Sequence, residues 1–277
     1  MTFNRSKLQN ALIHIVLSFV AITTVMPFYW MAVTSLKTPE DIFKMPPILF
    51  PTYFYTQNYI DVFELMPMWQ GFLNSTKVTV LVTIGTLLTS SMAAYAFTKI
   101  NFIWKDTLFG IFLSTLMVPG QVTLIPLYIL FSKIGWTDTH LPIMVPIILL
   151  NAYGIFMIKQ FMHSIPDSYI ESAKIDGYNH LGIYLKIALP MCKPVLVALG
   201  TFTFIGNWNN FLGPLIFLST ESKFTLPLLI SSFRDIYSVK WGLLMAASSV
   251  SIIPIIILYI FFQRFFVEGI ALTGLKG

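Results

Sequence analysis

Residues 171–190, ESAKIDGYNHLGIYLKIALP, form a charged, glycine-containing stretch in a chain that is otherwise mostly apolar. The chain has 277 residues, of which 56% are hydrophobic and 10% are charged. An average soluble domain has about 25% charged residues. Such a low charge content predicts a polytopic membrane protein. The quoted stretch must then lie outside the lipid, because its charges are costly to bury there.

Six uncharged runs predict membrane-spanning helices, because each has roughly 18 residues or more, enough to cross a ~30 Å hydrocarbon core. The predicted spans are about 11–36, 78–98, 107–131, 141–158, 195–218 and 241–262. The first run is longer than the ~7–15-residue apolar core of a secretory signal. We therefore interpret it as an uncleaved span and expect an all-α membrane protein with six transmembrane helices in a single domain, 1–277.

The distribution of Lys and Arg predicts the orientation. Six spans place both termini on the same side of the membrane. With the termini in the cytoplasm, ten Lys and Arg residues lie inside and seven outside, which agrees with the positive-inside bias. In this orientation an outer loop, 37–70, faces the exterior, and a second loop, 159–193, faces the cytoplasm.

The cytoplasmic loop 159–193 carries charges that exclude it from the membrane, since each costs ~2.5–3.5 kcal/mol at the centre of a membrane helix. They are Lys159, Asp167, Glu171, Lys174, Asp176, Lys186 and Lys193. The spacing predicts a helix after Pro166, capped by Asp167 or Ser168. Its apolar side is predicted to carry Tyr169, Ile170 and Ala173, opposite Asp167, Glu171 and Lys174.

A second helix is predicted after a glycine turn. Gly177 is suited to the left-handed conformation that ends the first helix, and Asn179 is suited to start the next one. The expected apolar stripe of the second helix consists of Leu181, Tyr184, Leu185 and Ala188. Short amphipathic helices in such loops also occur merely to cover the membrane surface, so periodicity alone leaves the role of this loop open.

The residue order of the opening stretch resembles the signature loop of binding-protein-dependent ABC importer permeases. That signature is Glu-Ala-Ala, three residues, Gly, nine residues, Ile-x-Leu-Pro. The corresponding residues are Glu171, Ser172, Ala173, Gly177, Ile187, Leu189 and Pro190. Ser172 in place of the first alanine is the only departure.

Four further stretches resemble the smaller permease of maltose-type, carbohydrate-uptake ABC transporters. They are NSTKVTVLVTIGTLLTSSMAAYAFTK, LMVPGQVTLIPLYILFSKIGWTDTH, GNWNNFLGPLIFL and FFQRFFVEGIALTGLKG. The resemblance implies a type I ABC importer permease fold in which the loop 159–193 carries a coupling helix that docks on a cytoplasmic ATPase subunit. It also implies the inner (plasma) membrane of a bacterium or archaeon as the location.

The same resemblance assigns roles to individual residues. Glu171 would contact a basic residue of the ATPase, and Asp176 with Gly177 would shape the turn that seats the loop. The C-terminal Gly274, Leu275, Lys276 and Gly277 are similar to a tail that reaches the ATPase dimer interface, although the common ending of the family is Gly-Ala-Val-Lys-Gly. The implied partners are a second, homologous permease in a heterodimer, two ATPase subunits and an extracytoplasmic solute-binding protein.

The sequence contains no pattern typical of an enzyme. It has no Gly-x-x-x-x-Gly-Lys-Ser/Thr stretch to bind nucleotide phosphates. We therefore expect no cofactor in this chain, with ATP and Mg bound by the partner ATPase subunits. The dispersed histidines and the single Cys192 form no metal-binding or catalytic pattern. The net charge of +5 is scattered, so no nucleic-acid partner is expected.

Polar residues beside proline and glycine breaks in the spans are candidates for a translocation path. They are Gln121, Thr123, Asn151, Asn207, Trp208, Asn209 and Asn210. Amides hydrogen-bond to hydroxyls and an aromatic face contacts a sugar ring, so the group suits a sugar. The family resemblance points to an oligosaccharide or a glycoside, although closely related permeases take up glycerol phosphate. Alternatively, the amides join helices to one another and Trp208 marks the membrane interface.

Two other functions compete with an importer permease. A secondary transporter of a small polar solute, driven by an ion gradient, predicts ionisable residues at mid-membrane depth, but the six runs contain only His14. A membrane scaffold or receptor would need neither a docking loop nor kinked spans with amides. For the outer loop 37–70, which is rich in proline and aromatic residues, docking of the solute-binding protein and a self-contained cap are the two alternatives.

Overall fold

The computed structural model describes the backbone of residues 3–51, 53–234 and 239–274, with side chains from residue 9 to residue 263. These ranges consist of helices and short connections. The α-helices are α1 (Phe3–Ser35), α2 (Pro39–Ile42), α3 (Gln57–Leu65), α4 (Met68–Lys99), α5 (Lys105–Thr115), α6 (Gly120–Lys133), α7 (Leu141–Leu149), α8 (Ala152–Met162), α9 (Asp167–Ile175), α10 (His180–Ile183), α11 (Leu189–Met191), α12 (Lys193–Trp208), α13 (Leu212–Phe217), α14 (Leu226–Ser231) and α15 (Trp241–Gly274). A π-helical turn, Tyr184–Ala188, joins α10 to α11, and a 3₁₀ turn, Glu221–Lys223, lies between α13 and α14.

Length and composition allow up to six membrane spans in the described residues, if each of two bent helix pairs is counted as one span. In the described part of the chain, four segments are long and apolar enough to cross alone: Gln9–Ser35, Met68–Lys99, Leu141–Met162 and Trp241–Gln263. The pair α5 and α6 is bent by 98°, and the segment His180–Met191 is bent by 77° relative to α12.

The predicted spans 107–131 and 195–218 are not continuous helices. The first is divided at Pro119-Gly120 into α5 and α6, because a proline lacks the N–H that would continue the helix and disfavours helical backbone in the residue before it. The second is divided between Trp208 and Leu212, where α12 ends and α13 begins.

The chain folds as two compact units, one formed by Met1–Met68 and Leu229–Ile253 and the other by Trp69–Leu228 and Pro254–Gly277. In the first unit, the segment after α1 is folded around the buried Asn58 of α3. The Asn58 amide donates to the carbonyls of Ser35 and Lys37, at 2.9 and 3.0 Å. A Cβ on Gly242 of α15 would lie 2.8 Å from Asn58 Oδ1, so α15 approaches this amide closely.

In the second unit, α4, α8 and α12 approach closely because small residues lie where they cross. A Cβ on Gly154 of α8 would lie 2.8 Å from Ser90 Oγ of α4 and 3.0 Å from a methyl group of Leu199 of α12. A Cβ on Gly200 would lie 3.3 Å from Leu87. Contacts between small residues are a principal means of helix association in membranes.

At the other end of the second unit, Asp138 connects two loops. Its carboxylate accepts hydrogen bonds from the backbone N–H groups of Ser219 and Thr220, at 3.0 and 2.9 Å, and from Lys223 Nζ at 2.7 Å. These hydrogen bonds, with that of Lys223 the strongest, hold the pKa of the Asp138 carboxyl well below its usual range. The loop before α7 is thereby fixed to the loop after α13.

Candidate functional site

The loop 159–193 folds into the two-helix arrangement that its sequence predicts, with differences in detail. Its first helix, α9, begins after Pro166, which occupies the cap position, and Asp167 is its first residue. The prediction that Asp167 or Ser168 caps this helix was therefore wrong. On the inner face Ile170 and Ala173 are buried as predicted, whereas Tyr169 is 53% exposed, because its side chain lies outside the narrow face that contacts the helix bundle.

The turn after α9 is a Schellman motif, which fixes the direction of the next segment. The N–H of Tyr178 donates to the carbonyl of Ala173 at 3.0 Å, and the N–H of Gly177 donates to the carbonyl of Lys174 at 3.1 Å. Gly177 has a φ of 83°, which confirms the predicted left-handed conformation. Asp176 is the residue between α9 and this glycine, and both are exposed.

The second segment starts as predicted and then departs from a regular α-helix. The side chain of Asn179 caps α10 by accepting a hydrogen bond from the N–H of Gly182 at 2.8 Å. The chain then widens into the π-helical turn Tyr184–Ala188. This turn includes Ile187 of the signature, and α11 contains Leu189 and Pro190.

The predicted apolar stripe of the second segment is only partly correct. Tyr184 and Ala188 are buried, but Leu181 and Leu185 are 59% and 50% exposed. Ile183 is buried instead, with 1% exposure. The reason is that the contacts with α4 select a face centred on Ile183 and Tyr184, so the neighbouring leucines point away from the bundle.

One apolar core attaches the whole loop to three membrane helices. Its buried residues come from α4, α8, the loop and α12, and they are Ala94, Tyr95, Ile158, Met162, Ile165, Ile170, Ala173, Ile183, Tyr184, Ala188, Cys192, Val195 and Leu199. Because interiors of this kind are close-packed, a displacement of the loop is transmitted to the helices rather than absorbed by soft contacts.

Three residues of α4 provide polar contacts to the same loop, and we call them the α4 ladder. Ser91 Oγ is hydrogen-bonded to Tyr184 Oη at 2.8 Å, and Tyr95 Oη to His180 Nδ1 at 3.2 Å. Lys99 Nζ donates to the carbonyl of Ile165 at 2.9 Å and to the carboxylate of Asp167 at 2.6 Å. The three residues are four positions apart and therefore lie along one face of α4.

The contact of Lys99 with Asp167 in the α4 ladder is also an ion pair. The Lys99 side chain is 6% exposed and the Asp167 side chain is 77% exposed. The hydrogen bond and the charge of Lys99 together lower the pKa of the Asp167 carboxyl. The pair thus provides a buried cation with a partner and holds the start of α9 against α4.

Sequence reasoning missed the α4 ladder. The available signal was the recurrence of Ser91, Tyr95 and Lys99 at intervals of four within an apolar helix, which indicates one polar face. The pattern within 171–190 does not reveal these contacts, because Ser91 and Tyr95 lie 93 and 85 residues before the residues that they contact.

The outer surface of the loop is formed by exposed side chains of mixed chemistry. Glu171 and Ser172 are exposed on α9, and Ile175 is 86% exposed just before the turn. Leu181 and Leu185 add apolar surface on the second segment. An apolar surface with a carboxylate beside it, held on a close-packed base, is typical of a docking site for another protein.

The candidate translocation-path residues lie mainly at helix ends. Asn151 caps α8 by accepting from the N–H of Gly154 at 2.7 Å, and Thr123 Oγ1 donates to the carbonyl of Gly120 at 2.8 Å. Gln121, in the first turn of α6, is exposed. These three residues therefore lie near helix breaks, Gln121 and Thr123 after the break between α5 and α6, and Asn151 between α7 and α8.

The remaining four candidates lie together where α12 ends. The amides of Asn207 and Asn209 donate to the carbonyls four residues earlier, at 2.8 and 3.0 Å, and Asn210 Oδ1 accepts from the N–H of Gly213 at 3.2 Å. Trp208 is 1% exposed, with its ring stacked on Phe204. Asn209 is the exposed member of this group.

The predicted C-terminal contact lies at the edge of the described chain. Gly274 is the last residue of α15. Leu275, Lys276 and Gly277 lie outside the described residues.

A family model described as "Binding-protein-dependent transport system inner membrane component" matches residues 85–271. The arabinooligosaccharides transport system permease protein AraQ of Halalkalibacterium halodurans is 31% identical over 98% of this chain and 98% of its own length. The lactose transport system permease protein LacG of Rhizobium radiobacter is 32% identical over 97% of each.

A similar fold is found in a solved structure. A chain from the crystal structure of a bacterial ABC transporter involved in the import of the acidic polysaccharide alginate matches with a TM-score of 0.84. The match covers 94% of this chain and 97% of the other, at 22% identity. It confirms the predicted all-α, type I importer permease fold.

Proposed function

Because this chain belongs to the inner-membrane permeases of binding-protein-dependent sugar ABC transporters, we propose that it forms half of the translocation pore of an ATP-driven importer. The proposed substrate is an oligosaccharide or a glycoside, delivered by a solute-binding protein. The observation that carries the proposal is the loop 159–193, which presents an exposed surface and is rigidly attached to α4, α8 and α12. The chain is a multi-pass transport subunit of the inner membrane.

The loop acts as the coupling element in this proposal. Its exposed surface docks on a cytoplasmic ATPase subunit, with Glu171 beside a basic residue of that subunit. The exposed apolar side chains of Ile175, Leu181 and Leu185 would be buried against that subunit and form the apolar core of the interface. Closure of the ATPase pair around ATP and Mg then displaces the loop, and the α4 ladder transmits the displacement to the spans, which alternate access between the two sides.

A second permease subunit completes the pore in a heterodimer. Support comes from α1, whose apolar window within Gln9–Ser35 has no buried residue, so this surface is available to lipid or to another membrane subunit. Gln121 and Asn209 are the exposed amides among the candidates for lining the path. A sugar substrate is favoured because the similar permeases AraQ and LacG belong to transport systems for arabinooligosaccharides and lactose.

In the proposed orientation both termini and the loop 159–193 lie in the cytoplasm, and the tail from Gly274 to Gly277 reaches the ATPase subunits. The loops joined through Asp138 and the outer loop 37–70 then face the exterior. Their hydrogen bonds give them a fixed shape, which suits docking of the solute-binding protein.

The experiment that tests the coupling role uses the complete transporter in proteoliposomes. Glu171→Lys and Gly177→Asp are expected to abolish sugar uptake while ATP hydrolysis and assembly persist, because the docking surface is altered but the core beneath it is intact. Asp106→Lys is the matched control, since it reverses an exposed carboxylate that lies outside the loop 159–193. Unchanged uptake by both loop variants would refute the coupling role. Uptake that survives ATP depletion and fails with an ionophore would instead support ion-gradient transport.

A further inference from the structure

The span that consists of α7 and α8 is interrupted between Leu149 and Ala152. In a continuous helix, the carbonyls of Ile147 and Ile148 would accept hydrogen bonds from the N–H groups four residues later. Here the N–H of Ala152, four residues after Ile148, donates to the carbonyl of Leu150 instead, at 3.0 Å. The carbonyls at the end of α7 therefore need donors from elsewhere, since an unsatisfied backbone group is costly within a membrane.

Two threonines of α4 contact these carbonyls. Thr86 Oγ1 lies 3.4 Å from the carbonyl oxygen of Ile147, and Thr89 Oγ1 donates to the carbonyl of Ile148. Gly85 allows the two helices to approach at this point, because a Cβ on it would lie 2.9 Å from the side chain of Ile148. Ser and Thr side chains of neighbouring helices satisfy the backbone groups that a broken membrane helix frees. The end of α7 is thus held on α4 by hydroxyl groups.

Thr89 has a second acceptor within its own helix. Its Oγ1 also lies 3.0 Å from the carbonyl oxygen of Gly85, one turn earlier in α4. A hydroxyl has a single proton to donate, so the carbonyls of Ile148 and Gly85 compete for it. The carbonyl of Ile148 gains more from this proton, because that of Gly85 already accepts the N–H of Thr89 in the regular helix. The contact therefore has two defined states, of which the closed state on α7 is the more favourable.

The two halves of the interrupted span belong to different apolar cores. Ile143 of α7 is buried in a core formed with α4, α6 and α13. Ile158 of α8 is buried in the core that attaches the loop 159–193. Between them the backbone is not helical, since Leu150 has a ψ of 35° and Asn151 a ψ of 81°. Hinges are a few residues of this kind, at the ends of elements, that absorb changes in φ and ψ.

We propose that the break between α7 and α8 is a hinge, and that Thr89, assisted by Thr86, is the latch that holds it in the conformation described above. When α8 moves with the loop 159–193, the Thr89 hydroxyl turns to the carbonyl of Gly85, and the end of α7 separates from α4. This role in alternating access rests on the proposed function, whereas the latch itself does not.

The test measures the separation of α4 and α7 in the complete transporter, in lipid nanodiscs without ATP or sugar. In a Cys192→Ala background, spin-labelled cysteines replace the exposed Leu81 of α4 and Leu149 of α7. Pulsed electron resonance then gives the distribution of distances between the labels. Thr89→Val is expected to raise the ratio of separated to closed populations about threefold, the typical contribution of one side-chain hydrogen bond between membrane helices. Thr89→Ser keeps the hydroxyl and should keep the wild-type ratio.

Two further variants separate the latch from a general effect of substitution in α4. Gly85→Ala should also raise the ratio, because its methyl group would push the side chain of Ile148 away. Thr76→Val is the matched control, since the Thr76 hydroxyl donates to the carbonyl of Phe72 in the same helix, at 2.8 Å, and the ratio should stay unchanged.

An unaltered ratio in both Thr89→Val and Gly85→Ala would overturn the proposal. An equal shift in Thr76→Val would also overturn it, because any lost hydroxyl of α4 would then have the same effect. These outcomes do not depend on the importer function. If the latch responds as expected but the wild type shows no ATP-driven uptake, the proposed function fails and the latch remains.

Discussion

Replacing Gly154 by alanine is expected to destabilise the second unit at the crossing of α4, α8 and α12. The added methyl group would lie 2.8 Å from Ser90 Oγ, 3.0 Å from Leu199 and 3.1 Å from Asn151 Oδ1. The last atom is also the acceptor that caps α8, so the substitution disturbs packing and cap together. Overpacking of this kind costs about 1–3 kcal/mol.

A matched glycine isolates the cost of the clash. Alanine is favoured over glycine within a helix by about 1 kcal/mol, and this gain offsets part of the loss at Gly154. Gly110 in α5 has no atom within 4 Å of its Cβ position, so Gly110→Ala retains the gain alone. The difference between the two variants is therefore the clash itself, about 1–3 kcal/mol, or roughly 2–12 °C in Tm at ~2–4 °C per kcal/mol.

The assay is thermal unfolding of the purified transporter, followed by tryptophan fluorescence. Ser90→Ala should recover part of the loss in the double variant, because it removes the nearest atom, and Ser90 Oγ is a buried hydroxyl with no hydrogen-bond partner among the described residues. The expected coupling energy is about 0.5–1.5 kcal/mol. Equal Tm shifts for Gly154→Ala and Gly110→Ala, or strict additivity with Ser90→Ala, would refute the reasoning.

Three other predictions concern the contacts made by Asp167, Gly242 and Asp138. Acidification below the ordinary carboxyl pKa of about 3.9 is expected to loosen the loop 159–193. The stabilising contribution of Asp167 is present above that value and is lost as the pH falls through the lowered pKa of this carboxyl in the folded state. Limited proteolysis of the loop at a series of pH values measures the effect, and Lys99→Met should abolish its dependence on pH. Gly242→Ala should lower Tm by an amount that corresponds to about 1–3 kcal/mol, because its Cβ would lie 2.8 Å from Asn58 Oδ1. Asp138→Ala should accelerate amide hydrogen exchange in the loop after α13, which loses its acceptor.

Each of these three expectations has an outcome that contradicts it. Persistent acid sensitivity in Lys99→Met would assign the effect to other carboxyl groups. An unaltered Tm in Gly242→Ala would mean that the Asn58 amide moves without cost. Unchanged exchange after Asp138→Ala would show that the loop is held by its other contacts.

Several features of this protein follow from its sequence alone. The shortage of charged residues determines a membrane fold, because lipid excludes unpaired charges wherever they occur along the chain. The helix–turn–helix form of the loop 159–193 is likewise local. Gly177 tolerates a positive φ, and the side chain of Asn179 caps the helix that follows it. Pro119 breaks its span because it has no N–H to donate.

Tertiary structure decided which faces of these elements are buried. Periodicity assigned Leu181 and Leu185 to the core, but the contacts of Tyr184 with Ser91 and the π-helical turn select another face. The α4 ladder and the crossing at Gly154 join segments that are far apart in the sequence. Local residue preferences determine backbone conformation within a few positions, whereas burial depends on which distant surface each side chain meets, and only the packed helices define that surface.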